Sequence, residues 1–171
     1  VTDKAGEGEF GTTGGQLSLS YIKVLDTRSR HYLSVGFQGG FAQRSVNYAN
    51  LRFGNQFDGQ GFNENILSNE ILSDDNFIYF DINAGLFYYW AKDERTNAYA
   101  GIGMFHLNQP NQSFYEGQNA DLFIRYAANA GAQLPLGDRS QVDLLPSVVF
   151  LRQGPATEAM FGSYVKVFFD P

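Results

Sequence analysis

The stretch that decides the fold is "FDINAGLFYYW", residues 80–90. Along most of this stretch, apolar side chains alternate with polar or small ones. Because successive side chains of a β-strand point to opposite faces, this period of two predicts a strand and not a helix. One predicted face carries Phe80, Ile82, Ala84, Leu86, Tyr88 and Trp90, and the opposite face carries Asp81, Asn83 and Gly85.

The same alternation recurs in "HYLSVGFQGGFAQ" (31–43) and "LFIRYAANAGAQL" (122–134). Most of the predicted strands are longer than the roughly 5–6 residues usual in globular proteins, and they reach the ~9–11 residues that span an outer membrane. We predict seven strands, at about 16–25, 31–45, 76–91, 98–108, 121–136, 141–152 and 158–169.

The connections between these strands alternate in length. Three are short and charged: "DTRSR" (26–30), "KDERTN" (92–97) and "GDRS" (137–140). On the other side, the segments 46–75 and 109–120 are long and polar, and 153–157 is intermediate. Outer-membrane barrels have short periplasmic turns and long extracellular loops, so we predict an all-β fold, a transmembrane antiparallel up-and-down β-barrel. The alternative is a soluble β-sandwich, whose Leu, Phe and Ile face would form an internal core.

Aromatic residues lie near both ends of the strand predicted at 76–91. Tyr79 and Trp90 are separated by 11 residue steps. At ~3.3 Å per step and a tilt of ~40°, these steps rise roughly 28 Å, which fits two interfacial aromatic girdles around an apolar band. We assign Phe77 and Tyr79 to one girdle, and Tyr32 and Tyr99, beside short turns, to the periplasmic one. The alternative is that these aromatics form the core of a soluble sheet.

Composition excludes several classes of protein. Lys and Arg total 12 and Asp and Glu total 18, and the net charge of −6 argues against a nucleic-acid partner. Without cysteine, the chain has neither disulfides nor thiolate metal sites. The sequence also lacks an apolar run of ~18 residues, which disfavours a transmembrane helix.

The length of 171 residues predicts one domain, a single outer-membrane barrel domain over 1–171. The chain starts at Val1 within what reads as a loop, so we expect a processed or partial chain. Its first predicted strand runs toward the periplasm. We therefore expect an odd number of strands upstream, with this chain forming about half of the barrel.

Signatures of catalysis and metal binding are missing from the sequence, which holds neither HExxH, a His pair nor GxSxG. We predict no enzymatic activity, no catalytic residue, no metal site and no cofactor. His31 is interpreted as a solvated turn residue, and His106 as the end of the fourth strand, before a proline that cannot donate to a ladder. The segment with Asp3, Glu7 and Glu9 is interpreted either as a loose Ca²⁺ loop or as a solvated loop.

Five stretches of the chain resemble, in the same order, the PorP/SprF family. They are "DKAGEGEFGTTGGQLSLSYIKVL" (3–25), "LSVGFQGGFAQRSV" (33–46), "LRFGNQFDGQGF" (51–62), "GIGMFHLNQPNQSF" (101–114) and "LLPSVVFLRQGPATEAMFGSYVK" (144–166). The resemblance implies a non-enzymatic β-barrel that is integral to the outer membrane and contacts its lipid. It also implies an association with type IX secretion and gliding motility in Bacteroidota. It also implies contact with the periplasmic ring and a peptidoglycan-linking component of the secretion system. Several members are paired with a large secreted adhesin, whose C-terminal sorting domain they are thought to receive and hold at the cell surface.

The resemblance and the long loops together predict a barrel that binds a protein partner. Aromatic side chains are common interface anchors. The candidate partner-binding residues are Tyr48, Phe53, Phe57, Phe62, His106, Pro110, Phe114 and Tyr115. A second interpretation is that these aromatics fold the loops over the barrel mouth as a plug.

The alternative function is an outer-membrane transport barrel, porin-like or a channel for hydrophobic solutes. The predicted lumen-facing side chains are polar and fit either function; they are Ser34, Gln38, Asp81, Asn83, Arg125, Asn129 and Gln133.

Overall fold

The computed structural model describes residues 2–6, 9–28, 30–47, 51–63, 65–67, 75–114, 119–137 and 141–169. These residues form eight β-strands and one short 3₁₀ turn, Gly54–Gln56, so the fold is all-β as predicted. The strands are β1 (Thr2–Ala5), β2 (Phe10–Val24), β3 (His31–Ser45), β4 (Asn76–Ala91), β5 (Asn97–Phe105), β6 (Arg125–Pro135), β7 (Val142–Gln153) and β8 (Ala156–Val167).

The strands lie side by side in chain order within one antiparallel up-and-down sheet. β1 and β8 are its two edges, and within the described ranges no pairing joins them, so the sheet is open. The predicted fold class is confirmed. The described strands form an open up-and-down sheet, as part of a barrel would. The sandwich alternative is wrong for the described residues, because a sandwich needs a second sheet packed on the first.

The predicted strands 31–45 and 76–91 match β3 and β4 at both bounds. The prediction missed β1 and started β2 at residue 16 instead of Phe10. β1 has the sequence "TDKA", which lacks apolar alternation, and it pairs with β2 from Thr2↔Thr13 to Ala5↔Phe10. Such pairing is made by backbone groups, so it leaves no signal in the side-chain pattern.

The connection predicted as intermediate, 153–157, is a tight turn. Only Gly154 and Pro155 separate β7 from β8, and Gly154 has a φ of +54°. Glycine adopts this left-handed conformation without the steric cost that a Cβ atom brings. The connections between β3 and β4 and between β5 and β6 are long, as predicted, although β5 ends at Phe105 and β6 begins at Arg125.

The two faces of β4 differ as the sequence predicts. Phe80, Ile82 and Leu86 expose 71%, 49% and 40% of their surface, whereas Asp81 and Asn83 expose 7% and 5%. An exposed apolar face opposite a buried polar face is the reverse of a soluble sheet and is typical of one whose outer face contacts lipid. We call the face of Asp81 and Asn83 the inner face and the opposite one the outer face.

The assignment of Phe77 and Tyr79 to a lipid-facing girdle is wrong. Both residues are an odd number of steps from Trp90, so alternation places them on the opposite face of β4 from Trp90. They share the inner face with Asp81, and their rings lie 6.2 Å apart.

The assignment of Tyr32 and Tyr99 to the periplasmic girdle is wrong for the same reason. Tyr32 packs against Tyr89, an inner-face residue of β4, with ring centroids 6.1 Å apart. Tyr99 stacks on Phe87 at 5.8 Å and is paired with Gly131 of β6. A Cβ atom at Gly131 would lie 2.6 Å from the Tyr99 hydroxyl, so glycine makes room for this inward ring.

The chain divides into two compact units. Unit 1 comprises Val1–Gln16, Gly40–Asp81 and Pro110–Leu122, and unit 2 comprises Leu17–Gly39, Ile82–Gln109 and Phe123–Pro171. In the part of the chain that the structure describes, no helix is both long and apolar enough to cross a membrane.

Candidate functional site

A small hairpin in unit 1 presents two phenylalanines to solvent. Phe57 and Phe62 form an antiparallel bridge, so their rings lie on the same side of the hairpin, and they expose 61% and 43% of their surface. Between them, the Asp58 carboxylate accepts the backbone N–H groups of Gln60 and Gly61, each at 3.0 Å. These bonds hold the pKa of Asp58 below its ordinary value, so the side chain is ionised at neutral pH.

Buried Gln56 fixes the base of this hairpin. Its Oε1 accepts the N–H of Phe53 at 3.0 Å, and its Nε2 donates to the carbonyl of Ile66 at 2.9 Å. The N–H of Asn63 donates to the Gln56 carbonyl at 2.9 Å. One buried side chain therefore ties together residues 53, 56 and 66. Sequence reasoning missed Gln56, because a single glutamine in a polar loop carries no pattern.

Other candidate residues lie nearby or pack within the loops. Phe53 is half-buried, and Arg52 lies 5.0 Å from the centre of the Phe62 ring. Tyr48 and Tyr115 lie outside the described residues. The hairpin that carries Phe57 and Phe62 is defined here as residues 57–62, and we call its exposed pair of rings the Phe57/Phe62 patch.

Phe114 packs inside unit 1. Its ring makes edge contacts with Phe10 of β2 at 5.4 Å and with Phe77 of β4 at 4.8 Å. Phe77 is an inner-face residue, so Phe114 anchors its loop onto the inner face of unit 1. The guanidinium of Arg44 covers the same cluster, 5.6 Å from the Phe10 ring centre. These contacts support the plug interpretation for Phe114.

Pro110 is buried and serves the same loop. Its carbonyl accepts the N–H of Leu122 at 3.0 Å. The neighbouring Asn111 Oδ1 accepts the N–H groups of Ser113 and Ala120 at 2.9 and 3.0 Å. These bonds close the loop at its base, which leaves the backbone groups less available to a partner.

His106 directly follows β5, which ends at Phe105, so it lies at the end of this strand but just outside it, and the predicted strand 98–108 extends too far; the residue is half-buried in unit 2. Its φ is +60°, and its N–H donates to Asn83 Oδ1 at 2.9 Å. Asn83 Nδ2 donates in turn to Gln38 Oε1 at 3.0 Å, and Gln38 Nε2 to Ser18 at 2.9 Å. Inner-face polar side chains of β2, β3 and β4 thus form a chain that ends at the turn after β5.

A cavity of about 590 Å³ lies in unit 2 beside these inner-face groups. Its lining carries no charged residue and includes many small ones. The larger lining residues include three phenylalanines and three residues with amide side chains; they are Phe37, Phe87, Phe105, Gln38, Asn83 and Asn129. A neutral lining of this kind suits an uncharged occupant.

A partly buried ion pair lies on the inner face near the β4–β5 turn, also in unit 2. Arg95 hydrogen-bonds to Asp143 of β7, whose side chain is fully buried. Gln133 Nε2 donates to the same carboxylate at 2.6 Å, and Arg95 lies 4.7 Å from the Phe168 ring centre. The sequence signal for this site is Asp143 itself, an acidic residue directly before the apolar pair Leu144 and Leu145 of β7.

The possible Ca²⁺ loop at residues 3–9 is only partly described, because Glu7 lies outside the described residues. Glu9 lies 3.9 Å from the ammonium group of Lys4. Among the described residues, no group of three or more His, Cys, Asp or Glu side chains comes together to hold a metal ion.

A family described as "Type IX secretion system membrane protein PorP/SprF" matches residues 1–170. No curated protein and no solved structure matches the chain. The match covers all but the last residue, and the chain therefore belongs to the PorP/SprF family of type IX secretion system membrane proteins.

Proposed function

We propose that this chain forms part of an outer-membrane barrel that receives a secreted adhesin, through its C-terminal sorting domain, and anchors it at the cell surface. Family membership supports a role in type IX secretion. The exposed apolar outer face of β4 supports a location in the outer membrane. In this proposal residues 1–171 belong to one barrel domain, and the protein is not an enzyme.

The observation that carries the partner-binding proposal is the Phe57/Phe62 patch. Two adjacent exposed phenylalanines on a hydrogen-bonded hairpin lose little conformational entropy when a partner covers them. Aromatic anchors held in place in this way are typical of the few residues that dominate binding energy. By contrast, Phe114 and Pro110 are used in packing their own loop.

The test is capture of the secreted adhesin by cells that carry Phe57→Ser and Phe62→Ser together. We expect at least a tenfold loss of surface-held adhesin, since losing two anchors of ~1–2 kcal/mol each exceeds that factor. The control is Phe169→Ser, which removes a still more exposed ring after β8. Unchanged capture by the double variant, with the barrel assembled, contradicts the proposal.

The periplasmic ring and the peptidoglycan-linking component are proposed to contact the end of unit 2 that bears the short turns. The short connections 26–30 and 92–96 lie there side by side, because the N–H of Ala91 donates to the carbonyl of Arg30 at 2.8 Å. Co-purification of these components with the wild-type protein, and its loss when both turns are replaced by Gly-Ser sequences, tests this part.

The neutral cavity in unit 2 favours a second candidate function, transport of uncharged solutes. Its volume of about 590 Å³ falls in the range of ~300–1,000 Å³ found for small-molecule sites. Swelling of proteoliposomes in an uncharged sugar tests this alternative. Swelling at the rate of empty liposomes argues against a transport barrel and leaves the adhesin proposal standing.

A further inference from the structure

We infer that the short-turn end of unit 2 binds the phosphate head groups of anionic phospholipids. The inference rests on the proposed membrane location but not on the proposed protein partner. It concerns a surface, here called the basic collar, made by Lys23 at the end of β2, Arg28 and Arg30 in the β2–β3 turn, and Lys92 in the β4–β5 turn.

The four collar cations are exposed, and within the described residues none of them forms a salt bridge, although the charge of Lys92 lies close enough to the Asp93 carboxylate to lower its pKa. Within the described residues, ion pairs join only Lys4 to Glu9 and Arg95 to Asp143. Asp26, the acidic residue of the first turn, accepts hydrogen bonds from the backbone. Its Oδ1 accepts the N–H groups of Arg30 and His31 at 2.7 and 3.0 Å.

Two turns bring the collar together. The backbone bond from Ala91 to the Arg30 carbonyl places the start of the second turn against the end of the first. Lys92, which follows Ala91, therefore lies near Arg30. The carboxylate of Asp93 accepts the N–H of Arg95 at 3.0 Å and, like that of Asp26, serves its own turn. Phosphate oxygens would give these exposed cations strong, charge-assisted hydrogen-bond acceptors.

Aromatic residues flank the collar on the outer face. Tyr21, two residues before Lys23, exposes 70% of its surface. The Tyr88 hydroxyl lies 2.7 Å from His31 Nδ1, and Trp90 is two residues further along β4. Tyrosine and tryptophan next to Lys and Arg mark the level of lipid head groups in membrane proteins. Leu17 and Leu19 of β2 lie further from the turn and are largely exposed. Their apolar side chains suit the lipid acyl chains next to the head groups.

The partner chemistry follows from this arrangement. Clustered cations at the membrane surface attract anionic lipid by ~1 kcal/mol for each Lys or Arg, whereas a zwitterionic head group carries no net charge. The collar therefore fits phosphatidylglycerol-type lipids in the leaflet that meets the short turns. The aromatic rings restrict the contact to lipid in a bilayer or micelle and do not favour free phosphate.

Native mass spectrometry of the whole natural protein in detergent micelles tests the inference, with phosphatidylglycerol or phosphatidylcholine added as the probe. We expect the wild-type protein to retain phosphatidylglycerol in preference to phosphatidylcholine. In the double variant Arg30→Gln with Lys92→Gln, each cation removed should lower that retention about fivefold. The charge-matched control, Arg125→Gln with Arg152→Gln, removes two exposed cations at the other ends of β6 and β7 and should leave retention unchanged.

Equal retention of the two lipids by the wild-type protein overturns the inference, and so does equal loss in the two double variants. Retention by the wild-type protein should also fall as salt is added, because exposed charges are screened. This second measurement decides the matter if the Arg30/Lys92 variant does not fold. Adhesin capture by the folded collar variant is expected to stay normal, which separates this inference from the proposed partner binding.

Discussion

Asn83 Oδ1 accepts the backbone N–H of His106 at 2.9 Å. This hydrogen bond joins β4 to the turn that follows β5. The bond holds His106 at a φ of +60°, in the left-handed region that a residue with a Cβ atom seldom adopts. In the same turn, the N–H of Leu107 donates to the carbonyl of Ile82 at 2.9 Å. A polar inner-face side chain thus determines where β5 ends and its long loop begins.

Replacement of Asn83 by alanine should destabilise the protein by about 1–3 kcal/mol, because it removes the acceptor of the His106 N–H and the donor to Gln38 Oε1. The measurement is the urea midpoint of the folded barrel in lipid vesicles. Ser20→Ala is a suitable control, since Ser20 lines the same cavity. An equal effect of the two variants contradicts the role given to Asn83.

Charge on the two faces of the sheet should have unequal effects. Leu86→Arg places a cation on the outer face, and we expect assembly in lipid to be weakened by ~2–4 kcal/mol. Asn129→Arg places the same charge on the exposed inner face of β6, where water can solvate it, and we expect a much smaller effect. Folding yields into vesicles, read from the heat-modifiable gel band, compare the two; the reverse order would show that the faces are inverted.

The ion pair of Arg95 and Asp143 should stabilise the inner face between the β4–β5 turn and β7. Arg95→Ala leaves the buried Asp143 carboxylate with the hydrogen bond from Gln133 and the nearby charge of Lys166, so we expect a lower urea midpoint. Replacing both residues, Arg95→Met with Asp143→Leu, should recover most of that loss, because no buried charge is then left alone. A double variant no more stable than Arg95→Ala would show that the pair itself is needed.

The hairpin turn should depend on pH through Asp58. Its pKa is lowered by the N–H groups of Gln60 and Gly61, so the stabilisation is present above the ordinary value of 3.8 and is lost as the pH falls through the lower, folded value. The amide resonance of Gly61, followed by NMR in micelles, should report this transition. In Asp58→Asn, which keeps an acceptor oxygen but does not titrate, the transition should be missing; its persistence would assign it to another group.

Part of this structure could be predicted from sequence, because alternating side chains show which residues share one face of the sheet. The bounds of β3 and β4 and the faces of Ile82 and Asn83 follow from that pattern alone. The girdle assignments of Phe77 and Tyr99 are wrong because neither a distance along a strand nor a position beside a turn tells which face a side chain occupies; the parity of the separation does. β1 and the role of Gln56 were not predictable, since backbone pairing and a single buried amide produce no periodic signal.

The central claim is that the outer face of β4 lies in lipid and its inner face does not. The chain has no cysteine, so single substitutions such as Ile82→Cys, Asn83→Cys and Leu86→Cys can each carry one spin label. In lipid vesicles, we predict strong relaxation by dissolved oxygen at 82 and 86 and weak relaxation at 83. Equal oxygen accessibility at all three positions, or the highest at 83, would contradict the account.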